Sequence, residues 1–231
     1  MVGIIIQARM GSTRLPGKIL RDFGGKTLLE HIVSRLREKL TSNAEIVIAT
    51  SILEQDDDVE AFCHKHEIKC FRGDEQNVLS RYYLCAKQNG YDDIVRMTGD
   101  NPFPDIEELN RLIDYHVRNK MDFTENFSTL PIGVGMEIFS YDALKISMER
   151  ASLPKHFEHA DEYILDNLDA FRHMTLQNVY SKAYCEERLT VDTPEDYKKA
   201  CYIISNAHMD YITTDKAVEL SKKYTSIEKG N

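Results

Sequence analysis

Positive charge is the scarcer sign in this chain. Its 231 residues carry 29 Lys and Arg against 38 Asp and Glu, a formal net charge of −9. That balance argues against a duplex nucleic-acid binder, whose affinity rests on Lys and Arg contacts to phosphates. The aromatics are scattered at core spacing and form no platform for stacking single strands. Long apolar runs are missing as well. The N-terminal run Val2–Ile6 has no basic stretch before it; it is too short for a signal-peptide core or for a bilayer span of about 20 residues. No other window approaches that length, so neither a membrane nor a nucleic acid is expected as partner. The five cysteines (Cys63, Cys70, Cys85, Cys185, Cys201) are odd in number and form no CxxC pair. A secreted disulfide scaffold and a structural zinc site are therefore disfavoured, and a cytoplasmic protein with reduced thiols is expected. Repeats, low-complexity stretches and linkers are absent too, and one domain over residues 1–231 is expected.

What is present begins with an ordinary globular composition, 42% hydrophobic and 29% charged. Short β-rich runs alternate with amphipathic helices through the first half. Val2–Ile6, Glu45–Thr50, Ile68–Phe71 and Asp93–Met97 read as strands. Between and after them, helical spacing links Leu28, Leu29, Ile32, Val33, Leu36 and Leu40, then Val59, Phe62, Cys63 and His66, then Val78 to Ala86, then Ile106, Leu109, Ile113 and Val117. This rhythm predicts an α/β fold with a mostly parallel sheet and flanking helices, binding ligands at the carboxyl ends of its strands. After residue 120 the pattern changes to strand-like pieces, Asp122–Asn126, Val134–Phe139 and Met174–Val179, around two helices. A small antiparallel extension or dimer arm around 121–180 is expected.

The charge is unevenly spread. Residues 1–40 hold eight Lys and Arg against three acids, a net +5, which leaves −14 for the remainder. Part of the excess lies in QARMGSTRLPGK (7–18), directly after the first strand. Glycines let backbone approach an oxyanion, and successive N–H groups can form an anion nest. Arg9, Arg14 and Lys18 supply the charge a triphosphate needs. Two familiar loops are excluded: GxxxxGK[ST] would need glycine at Ser12 and a hydroxyl at Ile19, and Gly133-Val134-Gly135 lacks the third glycine of GxGxxG.

Two aspartates stand out by elimination. In VRMTGDNPFPD, Asp105 reads as an N-cap with Glu108 at N3, leaving Asp100 at the strand end without a local task. In VDTPEDY, Thr193 reads as the cap, Pro194 as N1 and Asp196 as N3, leaving Asp192 spare. Mg²⁺ in nucleotide sites is held by one or two carboxylates together with phosphate oxygens and water. Asp56-Asp57-Asp58 matches the letters of a DxD metal motif but opens a helix, where acidic residues match the dipole.

ARMGSTRLPGK after an Ile-rich strand, with RGDEQNVLSRYY (72–83), VRMTGDNPF (95–103), PIGVGMEIFS (131–140), FEHADEYI (157–164) and RLTVDTPEDY (188–197), resembles the cytidylyltransferases of the CMP-KDO and CMP-acylneuraminate synthetase superfamily. Within it the chain is most similar to the spore coat polysaccharide biosynthesis protein F type. The resemblance spans nearly the whole chain. It implies a Rossmann-like sheet of the nucleotide-diphospho-sugar transferase type and transfer of CMP from CTP to an acidic sugar-like acceptor. Nucleotide contacts would come from Gln7, Ala8, Arg9, Gly11, Ser12, Arg14, Lys18, Arg72, Gly73 and Arg81. Arg9, Arg14, Lys18 and Asp100 would serve catalysis, with Mg²⁺ on Asp100 and Asp192. Glu137, Glu158 and His159 would meet the acceptor, and a homodimer is implied. The family usually has an acidic residue where Met136 stands and a basic one where Phe157 stands. Alternatives keep the reaction with another nucleotide or a polyol or phosphorylated acceptor, or replace it with a GT-A-like glycosyltransferase.

Overall fold

A computed structural model describes residues 1–178 and 180–230. In chain order the elements are β1 (Val2–Gln7), α1 (Leu28–Lys39), β2 (Glu45–Ser51), α2 (Asp57–Lys65), β3 (Lys69–Gly73), α3 (Val78–Asn89), β4 (Asp93–Thr98), α4 (Ile106–Asn119), β5 (Phe123–Glu125), β6 (Glu137–Ser140), α5 (Tyr141–Arg150), α6 (Pro154–Glu158), α7 (Glu162–Asp166), β7 (His173–Thr175), α8 (Lys182–Cys185), α9 (Pro194–Ala207) and α10 (Thr214–Gly230). No helix among the described residues is long and apolar enough to cross a membrane.

The strands form one sheet in the order β3-β2-β1-β4-β6-β5-β7. β1 runs parallel to β2 and β4, and β2 to β3. β6 is antiparallel to both β4 and β5, while β7 is parallel to β5. The expected extension is thus one reversed strand inside a continuous sheet. Its start also differs from the expected Val134: Gly133 has φ +89°, and a Cβ at Gly135 would lie 2.4 Å from Phe127 Cα. Residues 133–136 are held as a loop by that close approach, and pairing begins only at Glu137. β7 is likewise shorter than the expected Met174–Val179, and Val179 itself falls outside the described residues.

Alternation along β1 sends Ile4 and Ile6 to one face, with α1, α2 and α4, and Ile5 to the other, with α3 and α5. A third apolar cluster lies beyond the strand ends. Leu15, Phe23, Phe103, Val134 and Val191 pack there against Ala200 and Ile203 of α9 and Ala217, Val218 and Leu220 of α10. Burying a side chain of this size contributes about 1.5–3 kcal/mol. The C-terminal helices therefore clamp together four segments that are remote in sequence and that all border the ends of β1 and β4.

Caps position the helices as the motifs suggest. Thr193 and Asp196 form a reciprocal capping box at α9. Asp105 accepts the Glu108 N–H at 3.1 Å, but Glu108 does not return the bond; its carboxylate pairs with Arg111 at 2.6 Å. Asp105 also accepts the Thr214 hydroxyl at 2.5 Å, which ties the start of α4 to α10.

Candidate active site

The register aligns Gln7 with Thr98, so β1 and β4 end together, while β2 runs two residues past Ala49, the other partner of Gln7, to Ser51. The chain leaving β1 turns sharply. Ser12 and Gly17 both donate backbone N–H bonds to Met10 O, at 2.9 and 3.0 Å, and Leu15 N donates to the Ser12 hydroxyl at 3.2 Å. Gly17 sits at φ +66°, a conformation glycine adopts without steric cost. It starts the short turn Lys18–Leu20 that returns Lys18 toward the strand ends.

Lys18 is 8% exposed, and its ammonium donates to Asp100 Oδ2 at 3.0 Å, Asp192 Oδ1 at 3.0 Å and Val191 O at 2.8 Å. All three of its donors are used. Gly99 brings Asp100 in: its N–H donates to Gln7 O at 2.7 Å, and a Cβ there would lie 3.0 Å from Ala8 Cβ. Asp192 is fixed by its own N–H donating to Asp196 of the capping box at 3.1 Å. Arg14 lies 3.4 Å from Asp192 Oδ1, and Arg188 pairs with its other oxygen. Burial alone would raise the Asp192 carboxyl; the bond from Lys18 and the charges of Lys18, Arg14 and Arg188 reverse that and hold it below the ordinary carboxylate range.

These residues border a cleft of ≈ 360 Å³ at the carboxyl ends of the strands. Of the residues singled out from sequence, Gln7, Ala8, Arg9, Gly11, Ser12, Arg14, Lys18, Asp100, His159 and Asp192 line it. Arg96 and Thr98 also line it, and both continue into a second cavity of ≈ 180 Å³ that contains Glu137 and Asp161. Glu137 is only 3% exposed. The antiparallel register puts it directly opposite Arg96, whose Nη1 lies 2.5 Å from Glu137 Oε1 and 3.8 Å from Asp161 Oδ1. Even so, burial outweighs the arginine and pushes the Glu137 carboxyl up to about 7.

The remaining sequence candidates lie outside both cavities. Arg72 spans the edge of the sheet, 2.7 Å from both Asp57 and Glu60, and donates to Ser51 O and Leu53 O. Gly73 packs over Arg81, whose Cγ a Cβ there would meet at 3.2 Å. Arg81 is wholly buried; Nη1 donates to Asp74 O at 3.0 Å, Nε and Nη2 have no partner among the described residues, and burial lowers its pKa. Glu158 borders a shallow depression with Phe157 and Asp74.

Asp56 departs most from the sequence reading. Asp57 and Asp58 are exposed, but Asp56 is 0% exposed. It accepts Met10 N–H at 2.7 Å and Ser51 N–H at 3.2 Å, and also the Ser51 hydroxyl. It ties the loop after β1 to the end of β2 and is not free for a DxD metal site. Arg96, Asp161 and Arg188 were not singled out either. The one available signal was Arg96, a charge inside the otherwise apolar run Ile94–Met97.

Among the described residues no group of three or more His, Cys, Asp or Glu converges as a preformed metal site. Asp100 and Asp192 do converge, on one ammonium. Two carboxylates facing a cleft match a cation that completes its shell with phosphate oxygens and water.

The match of the cytidylyltransferase family profile covers residues 3–223. The spore coat polysaccharide biosynthesis protein SpsF of Bacillus subtilis is 39% identical over 204 residues, 86% of this chain and 85% of that protein. The solved structure of a cytidylyltransferase from Leptospira borgpetersenii superposes with a TM-score of 0.89 at 34% identity, covering 98% of this chain and 95% of that one. A CMP:2-keto-3-deoxy-manno-octonic acid synthetase solved with CTP has a TM-score of 0.65 at 19% identity, covering 88% of this chain and 98% of that one, a likeness of fold. With the profile spanning nearly its whole length and the Leptospira fold reproduced end to end, this chain belongs to the cytidylyltransferase family.

Proposed function

We propose that the protein transfers CMP from CTP to a sugar acid of the KDO or nonulosonic type, releasing pyrophosphate, and so activates that sugar for surface-glycan synthesis in the cytoplasm. The observation that carries this reading is the meeting of Asp100 and Asp192 on Lys18, opposite the Arg9–Lys18 loop. The CTP bound by the KDO synthetase neighbour and the polysaccharide role in the SpsF name support it.

Asp100 and Asp192 would hold Mg²⁺, which when bound polarises an α-phosphoryl oxygen and lowers the pKa of the attacking hydroxyl. Lys18 keeps the two carboxylates together and adds positive charge beside the reacting phosphate. Arg9 and Arg14, both partly exposed at the cleft, would neutralise charge growing on pyrophosphate, with the Gly11 and Ser12 region facing the same phosphates. The acceptor hydroxyl attacks the α-phosphorus as the bond to the pyrophosphate oxygen breaks. Positioning and electrostatics supply most of the rate in such a transfer. Arg72 and Gly73 at the end of β3 and Arg81 of α3, which border neither cavity directly, would serve the base and ribose side, and Glu137, Glu158 and His159 the acceptor side. The whole chain would act as one catalytic domain, and the segment 121–180, which exposes Phe127, Ile132 and Met174, would also carry a homodimer contact.

The test is to incubate the protein with each nucleoside triphosphate, Mg²⁺ and a panel of sugar acids while assaying pyrophosphate. Release confined to CTP plus a sugar acid is expected. Release of a free nucleoside diphosphate from an activated sugar would instead identify a glycosyltransferase.

A further inference from the structure

The second cavity has an uneven charge balance. Glu137 and Asp161 are 3% and 8% exposed, yet among the described residues Arg96 is the one cation within salt-bridge distance of either. Arg96 bonds Glu137; Asp161 Oδ1 and Arg96 Nε are buried with no hydrogen-bond partner among the described residues. A purely structural ionic cluster would be expected to satisfy these atoms, because an unpaired buried charge costs several kcal/mol. Here the unsatisfied carboxylate borders a cavity, and that cavity opens through Arg96 and Thr98 into the cleft that holds Asp100. The Gly133 and Gly135 loop closes the other side, with Phe127 and Met136 as apolar wall.

Resting on the transfer reading above, in which this cavity lies on the acceptor side, we propose that it receives a positively charged amino group of the acceptor. The acceptor is then an amino sugar or amino sugar acid whose –NH₃⁺ pairs with Asp161 and Glu137. A hydroxyl could donate one hydrogen bond but would leave Asp161 with no charge partner of its own; an ammonium brings three donors, and its charge draws Glu137 into the ionised form. The acceptor's own carboxylate is repelled from this wall by Glu137 and Asp161, and belongs on the cleft side of Arg96, near His159. That arrangement turns the attacked hydroxyl toward Asp100.

Saturation-transfer NMR on the full chain tests this with matched probes: glucosamine against glucose, and 2-amino-2-deoxygluconate against gluconate. The amino member of each pair is expected to bind roughly tenfold tighter or more, as a desolvated charge pair implies. Combining Asp161→Asn with Glu137→Gln, which are close isosteres, is expected to erase the preference. Equal binding within each pair, tighter binding of the hydroxyl member, no detectable binding of either amine, or a preference that survives both substitutions would overturn the proposal. A pyrophosphate assay with CTP separates it from the reading it rests on. Amine-selective binding with no pyrophosphate from any acceptor leaves the amino site standing and removes the transfer reaction. Equal kcat/KM for amino and hydroxyl counterparts keeps the transfer and removes the amino site.

Discussion

At one end of the cleft three cations, Lys18, Arg14 and Arg188, surround Asp192, and Lys18 also serves Asp100. At the other end a single cation, Arg96, is shared by Glu137 and Asp161. The first arrangement holds surplus positive charge on a loop open to solvent, as a polyphosphate requires. The second sets two buried acids against one arginine in a wall from which water is largely excluded. The two ends therefore call for different chemical groups, and a single transfer reaction can use both.

Substitutions at the Lys18 end should have the largest effect. Lys18→Ala or Asp100→Ala is expected to lower kcat/KM by about 10²–10³-fold or more, the cost of losing one preorganised electrostatic contact. Pyrophosphate release measures the rate, and a urea midpoint close to wild type would show that the fold persists. Full activity in both variants would remove this end from the chemistry.

Asp56→Ala tests whether the loop owes its shape to a buried anchor. Met10 and Ser51 N–H would lose a charged acceptor, so a stability loss of about 2–4 kcal/mol is expected together with a raised KM for CTP. An unchanged urea midpoint would show that the loop holds itself.

The Arg96 end should reveal itself through pH. Glu137 titrates near 7 in the folded chain against an ordinary 4.5, so between those values the unfolded chain has released a proton that the folded one keeps. Stability therefore falls as pH rises from about 4.5 through 7 and then levels, by roughly 2–4 kcal/mol in all. Urea unfolding at several pH values should show this slope in the wild type and its loss in Glu137→Gln. A slope that survives the substitution would belong to another group, and a wild type without the slope would mean that Arg96 keeps Glu137 ionised.

The smallest effect is expected at the cap beside Asp192. Thr193→Ala removes the acceptor for Asp196 N–H and should cost about 1 kcal/mol. If kcat/KM falls by more than stability explains, the cap also positions the Asp192 carboxylate.

The two ends were unequally legible before folding. Lys18, Asp100 and Asp192 could be singled out because local tasks accounted for their neighbours: Asp105 and Thr193 are indeed N-caps. Asp56 could not be read this way. Its position at a helix start offered a sufficient local explanation, and only packing against the loop removed it from solvent. Arg72 was a nucleotide candidate through the family resemblance; which partners hold its guanidinium, Asp57 and Glu60 one turn apart on α2, only the fold shows.

The sequence alone determined the order of strands and helices, the caps and the cationic loop, because periodicity, capping and turn chemistry act within a few residues. It also carried the family signature. The tertiary structure decided what depends on register and on contacts between distant segments. The antiparallel pairing of β6 with β4 set Glu137 opposite Arg96, and the clamp of α9 and α10 brought Asp192 within 3.0 Å of Lys18. A one-residue slip in that pairing would turn Glu137 to the opposite face of the sheet, and no local rule forbids it. The deficit of positive charge over the whole chain therefore has a specific local counterpart, one arginine between two buried acids, which only the folded sheet could assemble.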